Sequence, residues 1–412
     1  MLNEKEKANL RALAERYMEA ASLPAQREKI ELWKALNAGR MRRPMVAIDQ
    51  LPWHELNDDG SLTVTTEDPF WRGVEQSMRR TLYKWERFPA DMVIEPVLPI
   101  PMAISGDDYG IKVLEDVVTT DKNNDVASHR YLNQLDRDED ILNIKDMNIT
   151  HDADETARRM DTARELFNGI IPVREQGVMF HLGTWDKIST MMGVEAAYLN
   201  LLDRPEFIHK IMRRFTDATL RGVEQINALN AYDGDANVCH CSYVYTDELL
   251  PDVGGARGNQ TRDSWAYGLA QLFSSVSPAV TEEFELPYVT ELAKHFGAIY
   301  YGCCDRLDDR LDVVKRIPNL RKVSCSPWSE REAFAERIGP KLTMSAKPSP
   351  AFIAGTNADL ETAAADLKRT VAAASRYGVN LEIILKDIST VNYRPDRLTE
   401  WNRIASEIVN AG

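Results

Sequence analysis

Short apolar runs alternate with amphipathic stretches along most of the chain. The runs at 45–48, 298–301 and 381–385 are too short for a helix and are typical of buried strands. Between such runs, apolar residues recur every three or four positions, as in residues 204–230, which predicts helices packed on a sheet. Because about eight strands alternate with helices in this way, the pattern predicts an α/β fold of the (β/α)8 TIM-barrel type. A doubly wound open sheet is the alternative.

Two segments depart from this alternation. Residues 1–43 contain two amphipathic helices separated by Pro24, and residues 102–150 contain short alternating segments and polar turns that are typical of a β-hairpin. We therefore expect an N-terminal helical extension over 1–43, a barrel domain over 44–412 and a β-hairpin insertion around 102–150. Neither a dinucleotide-binding glycine motif nor a P-loop is present, which argues against a nucleotide-binding sheet.

The chain carries more acidic than basic residues, which limits the kinds of partner expected for it. A formal net charge of -14 and a pI of about 5.1 argue against nucleic acid and against an anionic membrane surface. The charged, amphipathic start and the lack of a long apolar run predict a cytoplasmic protein without a membrane span. The five cysteines are an odd number, so we expect buried apolar residues, metal ligands or reactive groups rather than disulfides.

Polar and thiol side chains follow the predicted strands. In parallel α/β folds the carboxyl ends of the strands meet at one face, where ligands and catalytic groups collect. The residues expected there are Asp49, Glu95, His181, Cys239-His240-Cys241, Cys303-Cys304-Asp305, Ser324-Cys325-Ser326, Lys347 and Lys386-Asp387. The loop after the first strand adds Trp53 and His54, which are either part of a site or a polar loop that precedes the next helix.

These residue types predict three kinds of role. Zinc prefers soft or borderline ligands in a tetrahedron, so the candidate metal ligands are Cys303, Cys304, His240 and Asp305. A buried apolar role is the alternative for each cysteine. The candidate catalytic groups are Asp49, His181, Lys386 and Asp387. The candidate substrate contacts are Trp53, His54 and Lys347, and an ion pair on the rim is the alternative for Lys386-Asp387.

Four stretches carry a family resemblance. They are Asp263-Ser264-Trp265 with the SSVSPAVTEEFELPYVTELAKHFG that follows, YYGCCDRLDDRLDVVKRIPNLRKVSCSPW, Ser345-Ala346-Lys347-Pro348-Ser349-Pro350, and LEIILKDISTVNYRPDRL. In these stretches the chain resembles the uroporphyrinogen decarboxylase superfamily, above all the branch related to corrinoid-dependent methyltransferases and O-demethylases. The resemblance implies a TIM barrel, and its first stretch adds Asp263 as a catalytic candidate and Trp265 as a substrate contact.

The chain also departs from that family. Uroporphyrinogen decarboxylases carry an arginine motif after the first strand, whereas the stretch 48–53 here is Ile-Asp-Gln-Leu-Pro-Trp, which would repel a porphyrinogen with many carboxylates. The zinc methyltransferases carry His-x-Cys on one strand and a third cysteine on the last. Here Tyr301-Gly302-Cys303 and Lys386-Asp387 stand at those positions, so Cys303 alone carries over. A zinc ion would therefore have to recruit Cys304, Asp305, His240 or Asp387.

Two functions follow as hypotheses. The first is a methyltransferase that uses zinc to move a methyl group from a small methoxylated or methylated compound to a corrinoid held by a separate partner protein. The alternative is a metal-independent decarboxylase or lyase, in which Lys347 or Lys386 binds the carboxylate of a small acid. By analogy with the family we expect a homodimer.

Overall fold

The computed structural model describes residues 2–119, 127–249 and 258–411. Its strands are β1 (Met45–Ile48), β2 (Leu98–Pro101), β3 (Ile104–Ser105), β4 (Glu115–Val118), β5 (Ser128–Tyr131), β6 (Thr150–His151), β7 (Val173–Gln176), β8 (Val238–Cys239), β9 (Ser242–Tyr243), β10 (Trp265–Gly268), β11 (Ala298–Tyr301), β12 (Leu320–Cys325), β13 (Thr343–Ala346) and β14 (Asn380–Leu385).

The helices alternate with these strands. They are α1 (Glu4–Ala21), α2 (Pro24–Asn37), α3 (Pro69–Arg87), α4 (Ala153–Leu166), α5 (Thr184–Met192), α6 (Val194–Asp203), α7 (Pro205–Ala228), α8 (Pro278–Phe284), α9 (Leu286–Ala293), α10 (Leu311–Val314), α11 (Arg331–Ile338), α12 (Ala351–Ala354), α13 (Leu360–Tyr377) and α14 (Asp396–Asn410). None of the described helices is long and apolar enough to span a membrane.

A six-stranded parallel sheet forms the centre of the fold. Its strand order is β1-β14-β13-β12-β11-β10. Every residue of β14 is buried, as expected for a parallel strand that is covered on both faces. Parallel bridges from Val178 to Tyr232 and from His181 to Tyr267 extend the pairing beyond β10, and β2 pairs with β7 in parallel. The structure is therefore mixed α/β with a central parallel sheet, and the closed barrel stays a prediction.

Strand β10 corrects one expectation from the sequence. Residues 263–276 have the apolar spacing of a helix, but Trp265–Gly268 form a strand that pairs with Ala298–Tyr301. The alternation of side chains explains the difference. Trp265 and Tyr267 point to one face of the sheet, where they pack with the hairpin cysteines Cys239 and Cys241. Ala266 points to the other face and packs in the cluster that includes the helices. Two large aromatic residues at a spacing of two suit a strand with two buried faces.

The segment 238–243 corrects a second expectation. Cys239-His240-Cys241 was predicted to end a parallel strand, but it forms the turn of the antiparallel hairpin β8–β9. His240 has a φ of 56° at this turn, a left-handed conformation that histidine tolerates better than most residues. Cys239 and Cys241 pack inside the central sheet against β10 and β11. A hairpin therefore fills space that the sequence pattern had assigned to a barrel strand.

The N-terminal helices pack against the same hairpin. The Asn37 side-chain amide donates to the carbonyl oxygens of Tyr243 at 3.2 Å and Tyr245 at 2.7 Å. The Trp33 indole N–H donates to the Asp91 carbonyl at 2.9 Å.

Within 102–150, β4 and β5 pair as an antiparallel hairpin. The division into an extension over 1–43 and a domain over 44–412 stays a prediction.

Candidate active site at the carboxyl end of the sheet

Gly302 turns the chain immediately after β11. Its φ is +90°, and a Cβ at this position would lie 2.7 Å from Leu307 Cδ1, so the turn requires glycine. Because the strand has ended, Cys303 and Cys304 no longer point to opposite faces. The Cys303 backbone N–H donates to Asp305 Oδ1 at 2.9 Å, which fixes the turn. The Cys303 side chain is buried, and that of Cys304 is half-buried.

The Cys303 sulfur lies between two basic side chains. Lys386 Nζ donates to Cys303 Sγ at 2.7 Å, and His240 Nε2 lies 3.7 Å from the same sulfur. Lys386 directly follows β14 and is buried. The ring of His240 stacks on Tyr267 with a centroid distance of 4.1 Å. We call Cys303, Cys304, His240, Lys386 and Asp387 the thiol site.

The electrostatics of the thiol site favour a thiolate at Cys303. Its pKa is lowered by the hydrogen bond from Cys304 first, and further by His240 and Lys386, which together outweigh burial. Burial opposes the charge of His240, but contacts with Cys241 and Cys303 raise its pKa to about 9. Burial also opposes the charge of Lys386, but the Cys241 and Cys303 sulfurs raise its pKa. A thiolate beside two cations is the reactive form of cysteine.

Three atoms of the thiol site are placed to hold a metal ion. The sulfurs of Cys303 and Cys304 and a carboxylate oxygen of Asp387 lie within 4.8 Å of one another. Two sulfurs and one oxygen are donors that zinc accepts, and a fourth position stays open for a substrate. Asp387 has a φ of 55°, and residues held in such conformations cluster at functional sites.

The metal ligands predicted from the sequence are therefore only partly together. Cys303 and Cys304 meet, and His240 lies beside them, but Asp305 does not share the cluster. The Asp305 carboxylate accepts from the Cys303 backbone at 2.9 Å and from Arg310 Nη2 at 3.3 Å, fully buried behind the turn. Of the two carboxylates that the sequence offered as ligands, Asp387, which was also a catalytic candidate, lies with the two thiols, and Asp305 does not.

Two more predicted residues lie at the same end of the sheet. His181 bridges to Tyr267 on β10, and its Nδ1 accepts from the Gly183 N–H at 3.2 Å. Desolvation by the surrounding protein, and then the charge of His240, lower the pKa of His181 to about 4, although part of its ring faces solvent. Lys347 is buried, and its ammonium donates to the hydroxyl of Tyr300 at 2.7 Å.

Asp49, Trp53 and His54 follow the carboxyl end of β1, where the Asp49 N–H donates to the Leu385 carbonyl at 2.9 Å, but their side chains contact groups outside the thiol site. Asp49 accepts from Lys84 at 3.3 Å, the Arg80 guanidinium covers the Trp53 ring at 4.7 Å, and His54 lies 3.7 Å from Glu55. Asp263 and Trp265 lie at the amino end of β10, whereas the thiol site lies at the carboxyl ends of β11 and β14. The structure therefore does not bring these two residues to the thiol site.

Sequence reasoning missed a group of buried acids near the site. Glu285 accepts from the Tyr301 hydroxyl at 3.0 Å, and burial raises its pKa to about 8. Burial likewise raises the pKa of Asp186 to about 6. Asp186 lies in the first turn of α5 and Glu285 between α8 and α9, so neither is at a strand end. The signal available in the sequence was the Gly183-Thr184-Trp185-Asp186 turn directly after His181.

Comparison with known proteins supports the fold alone. No protein-family profile matches the chain, and a search among curated proteins finds no match. Among solved structures, the chain is similar to a methyltransferase from Methanosarcina mazei with a TM-score of 0.50 and 13% sequence identity. The similarity covers 91% of this chain and 98% of that one. At this identity the similarity concerns the overall fold and not the activity.

Proposed function

We propose that this protein is a methyltransferase that acts at the thiol site. It would move a methyl group from a small methoxylated or methylated compound to a corrinoid protein. The observation that carries the proposal is the meeting of Cys303, Cys304 and Asp387 at the carboxyl end of a parallel sheet. The fold shared with a methyltransferase agrees with it. We further propose that the central sheet belongs to a (β/α)8 barrel and that the protein forms a homodimer, which light scattering would test.

Zinc fits the donors of the thiol site. Cys303, Cys304 and Asp387 would hold the ion, and when bound it would supply a Lewis acid for the substrate oxygen, sulfur or nitrogen. Lys386 would then give up its contact with Cys303. The Lys386 ammonium already lies 3.2 Å from Asp387 Oδ2, so it would keep this carboxylate oxygen as an ion-pair partner. The lowered pKa of His181 keeps its ring neutral at neutral pH, and because Nδ1 accepts from the Gly183 N–H, its Nε2–H would be available to donate a hydrogen bond to the substrate.

Removing both thiols is expected to abolish tight zinc binding. Losing even an outer partner of a metal site weakens affinity by about 10- to 100-fold, so losing two ligands should weaken it by more than about 100-fold. Calorimetric titration of zinc into the reduced full chain would compare the wild type with Cys303→Ala plus Cys304→Ala. Cys325→Ala is the matched control, because that buried thiol contacts Arg331 and lies outside the thiol site. Equal affinity in the wild type and the double variant would reject the metal proposal.

One contact favours a second function. The buried Lys386 ammonium donates to Cys303 at 2.7 Å, so the thiolate already has a counter-ion without any metal. In a metal-independent decarboxylase or lyase, Lys386 would bind the carboxylate of a small acid and a neighbouring acid would transfer the proton. Lys347, the other lysine predicted for this role, is also buried, and its ammonium donates to the hydroxyls of Tyr300 and Ser345. A zinc affinity that does not depend on Cys303 and Cys304 would favour this function.

A further inference from the structure

A second cavity lies apart from the thiol site. Its volume is about 460 Å³, and it lies between α1, α3, β2, β7 and the segments 92–97 and 233–245. Three tyrosines, Tyr17, Tyr243 and Tyr245, contribute to its wall. The rings of Tyr243 and Tyr245 are parallel to within 5°, with centroids 6.2 Å apart. The described residues that line it include none of the thiol-site residues.

One carboxylate in this wall, that of Glu95, forms no direct ion pair among the described residues, although the nearby charge of Arg174 opposes the rise in its pKa that burial causes. Arg174 pairs with Asp233 at 3.2 Å, and Lys84 pairs with Asp49 at 3.3 Å. Glu95 accepts from the Asn237 amide at 2.5 Å, and no cationic side chain of the described residues forms an ion pair with it. Burial raises the pKa of Glu95, so an added positive charge would stabilise its carboxylate.

We propose that this cavity binds a small organic cation, of the quaternary or tertiary ammonium class. Tyrosine faces attract cations through the ring quadrupole, most strongly where water is excluded. Glu95 adds a carboxylate that is not directly paired with either wall cation, because Lys84 pairs with Asp49 and Arg174 with Asp233. An anionic ligand would instead meet a carboxylate without a direct ion pair. The inference goes beyond the proposed function, since it requires no thiol and no metal.

The test compares a cation with an uncharged ligand of the same shape. Choline and dimethylbutanol, in which carbon replaces the charged nitrogen, would be titrated into the full chain by calorimetry. We expect choline to bind at least about tenfold more tightly, which corresponds to about 1.4 kcal/mol. The variant Glu95→Gln keeps the size of the side chain and should lose about tenfold in choline affinity. Asp235→Asn, an exposed acid nearby, should change the affinity by less than about twofold.

The outcomes separate this inference from the methyltransferase proposal. Equal affinity for the two ligands, or no choline binding at millimolar concentration, overturns it from the wild type alone, even if Glu95→Gln fails to fold. Unchanged choline affinity in a folded Glu95→Gln variant also overturns it. Cys303→Ala plus Cys304→Ala should bind choline as the wild type does, whatever happens to its zinc affinity. A parallel loss of choline binding in that variant would place the cation at the thiol site and contradict the assignment to this cavity.

Discussion

Replacing Lys322 by methionine is expected to lower the free energy of unfolding by about 3–5 kcal/mol, the usual cost of removing one partner of a buried ion pair. Lys322 Nζ lies 2.6 Å from Glu382 Oε2, and both side chains are fully buried. The Lys322 ammonium also donates to the Ser242 hydroxyl at 2.7 Å and to the Tyr243 carbonyl at 3.0 Å. Methionine keeps the length of the side chain but leaves Glu382 short of its nearest cation. The midpoint of urea unfolding, followed by tryptophan fluorescence, measures the change.

The pKa values of both partners are lowered, which disfavours the charged form of Lys322 and favours the charged form of Glu382. Burial lowers the pKa of Lys322, which weakens its charge. Burial would raise the pKa of Glu382, but Lys322 and Lys347 lower it. The ionised form of Glu382 is further stabilised because the hydroxyls of Ser242 and Ser345 donate to its carboxylate at 2.9 and 2.5 Å, and this negative charge in turn favours the protonated form of Lys322. The pair therefore stays charged at neutral pH.

Two further variants separate charge from packing. Lys210→Met removes a lysine from an exposed pair with Asp138 and should cost no more than about 1 kcal/mol. Adding Glu382→Leu to Lys322→Met should restore most of the lost stability, because it removes the carboxylate left without its lysine. If the double variant is less stable than Lys322→Met, the penalty comes from packing and not from the unpaired charge.

Replacing Lys386 by methionine is expected to raise the pKa of the Cys303 thiol. A hydrogen bond to a charged group contributes about 1.5–3 kcal/mol, which corresponds to about one to two pH units. The pKa of Cys303 is lowered in the folded protein. Its contribution to stability is thus fully present above the pKa of an unfolded thiol and is lost as the pH falls through the lower, folded value. In Lys386→Met this loss should still begin near the pKa of an unfolded thiol but should be complete at a higher pH, so the total contribution is smaller.

The thiolate absorbance in the ultraviolet measures this pKa directly. The titration would be run in the presence of a chelator, and the curve of Cys303→Ser would be subtracted so that Cys303 alone is followed. Lys187→Met is the control, because Lys187 is an exposed lysine at the same end of the sheet whose charge lowers the pKa of His181. An unchanged midpoint in Lys386→Met would show that Cys304 and His240 hold the thiolate without the lysine.

Local pattern was enough to predict the elements that carry the site. The runs at 298–301 and 381–385 are strands, since a short segment buried on both faces is predominantly apolar, with Glu382 as the one charged residue. The position of Cys303 and Lys386 at the ends of these strands follows from the same rule. The sequence thus predicted that a thiol and a lysine would lie at the carboxyl end of a parallel sheet.

The tertiary structure alone decided which of these groups meet. Asp387 joins the two thiols because the chain turns into a left-handed conformation directly after β14, whereas Asp305 turns inward to Arg310. A charged residue in a strand is expected to face solvent, but Lys322 is buried and paired with Glu382 of β14. The β8–β9 hairpin, which carries His240, packs over this pair and contacts Lys322 through Ser242 and Tyr243. Such contacts join residues far apart in sequence and depend on how the interior is filled, which the local alternation of polar and apolar residues does not encode.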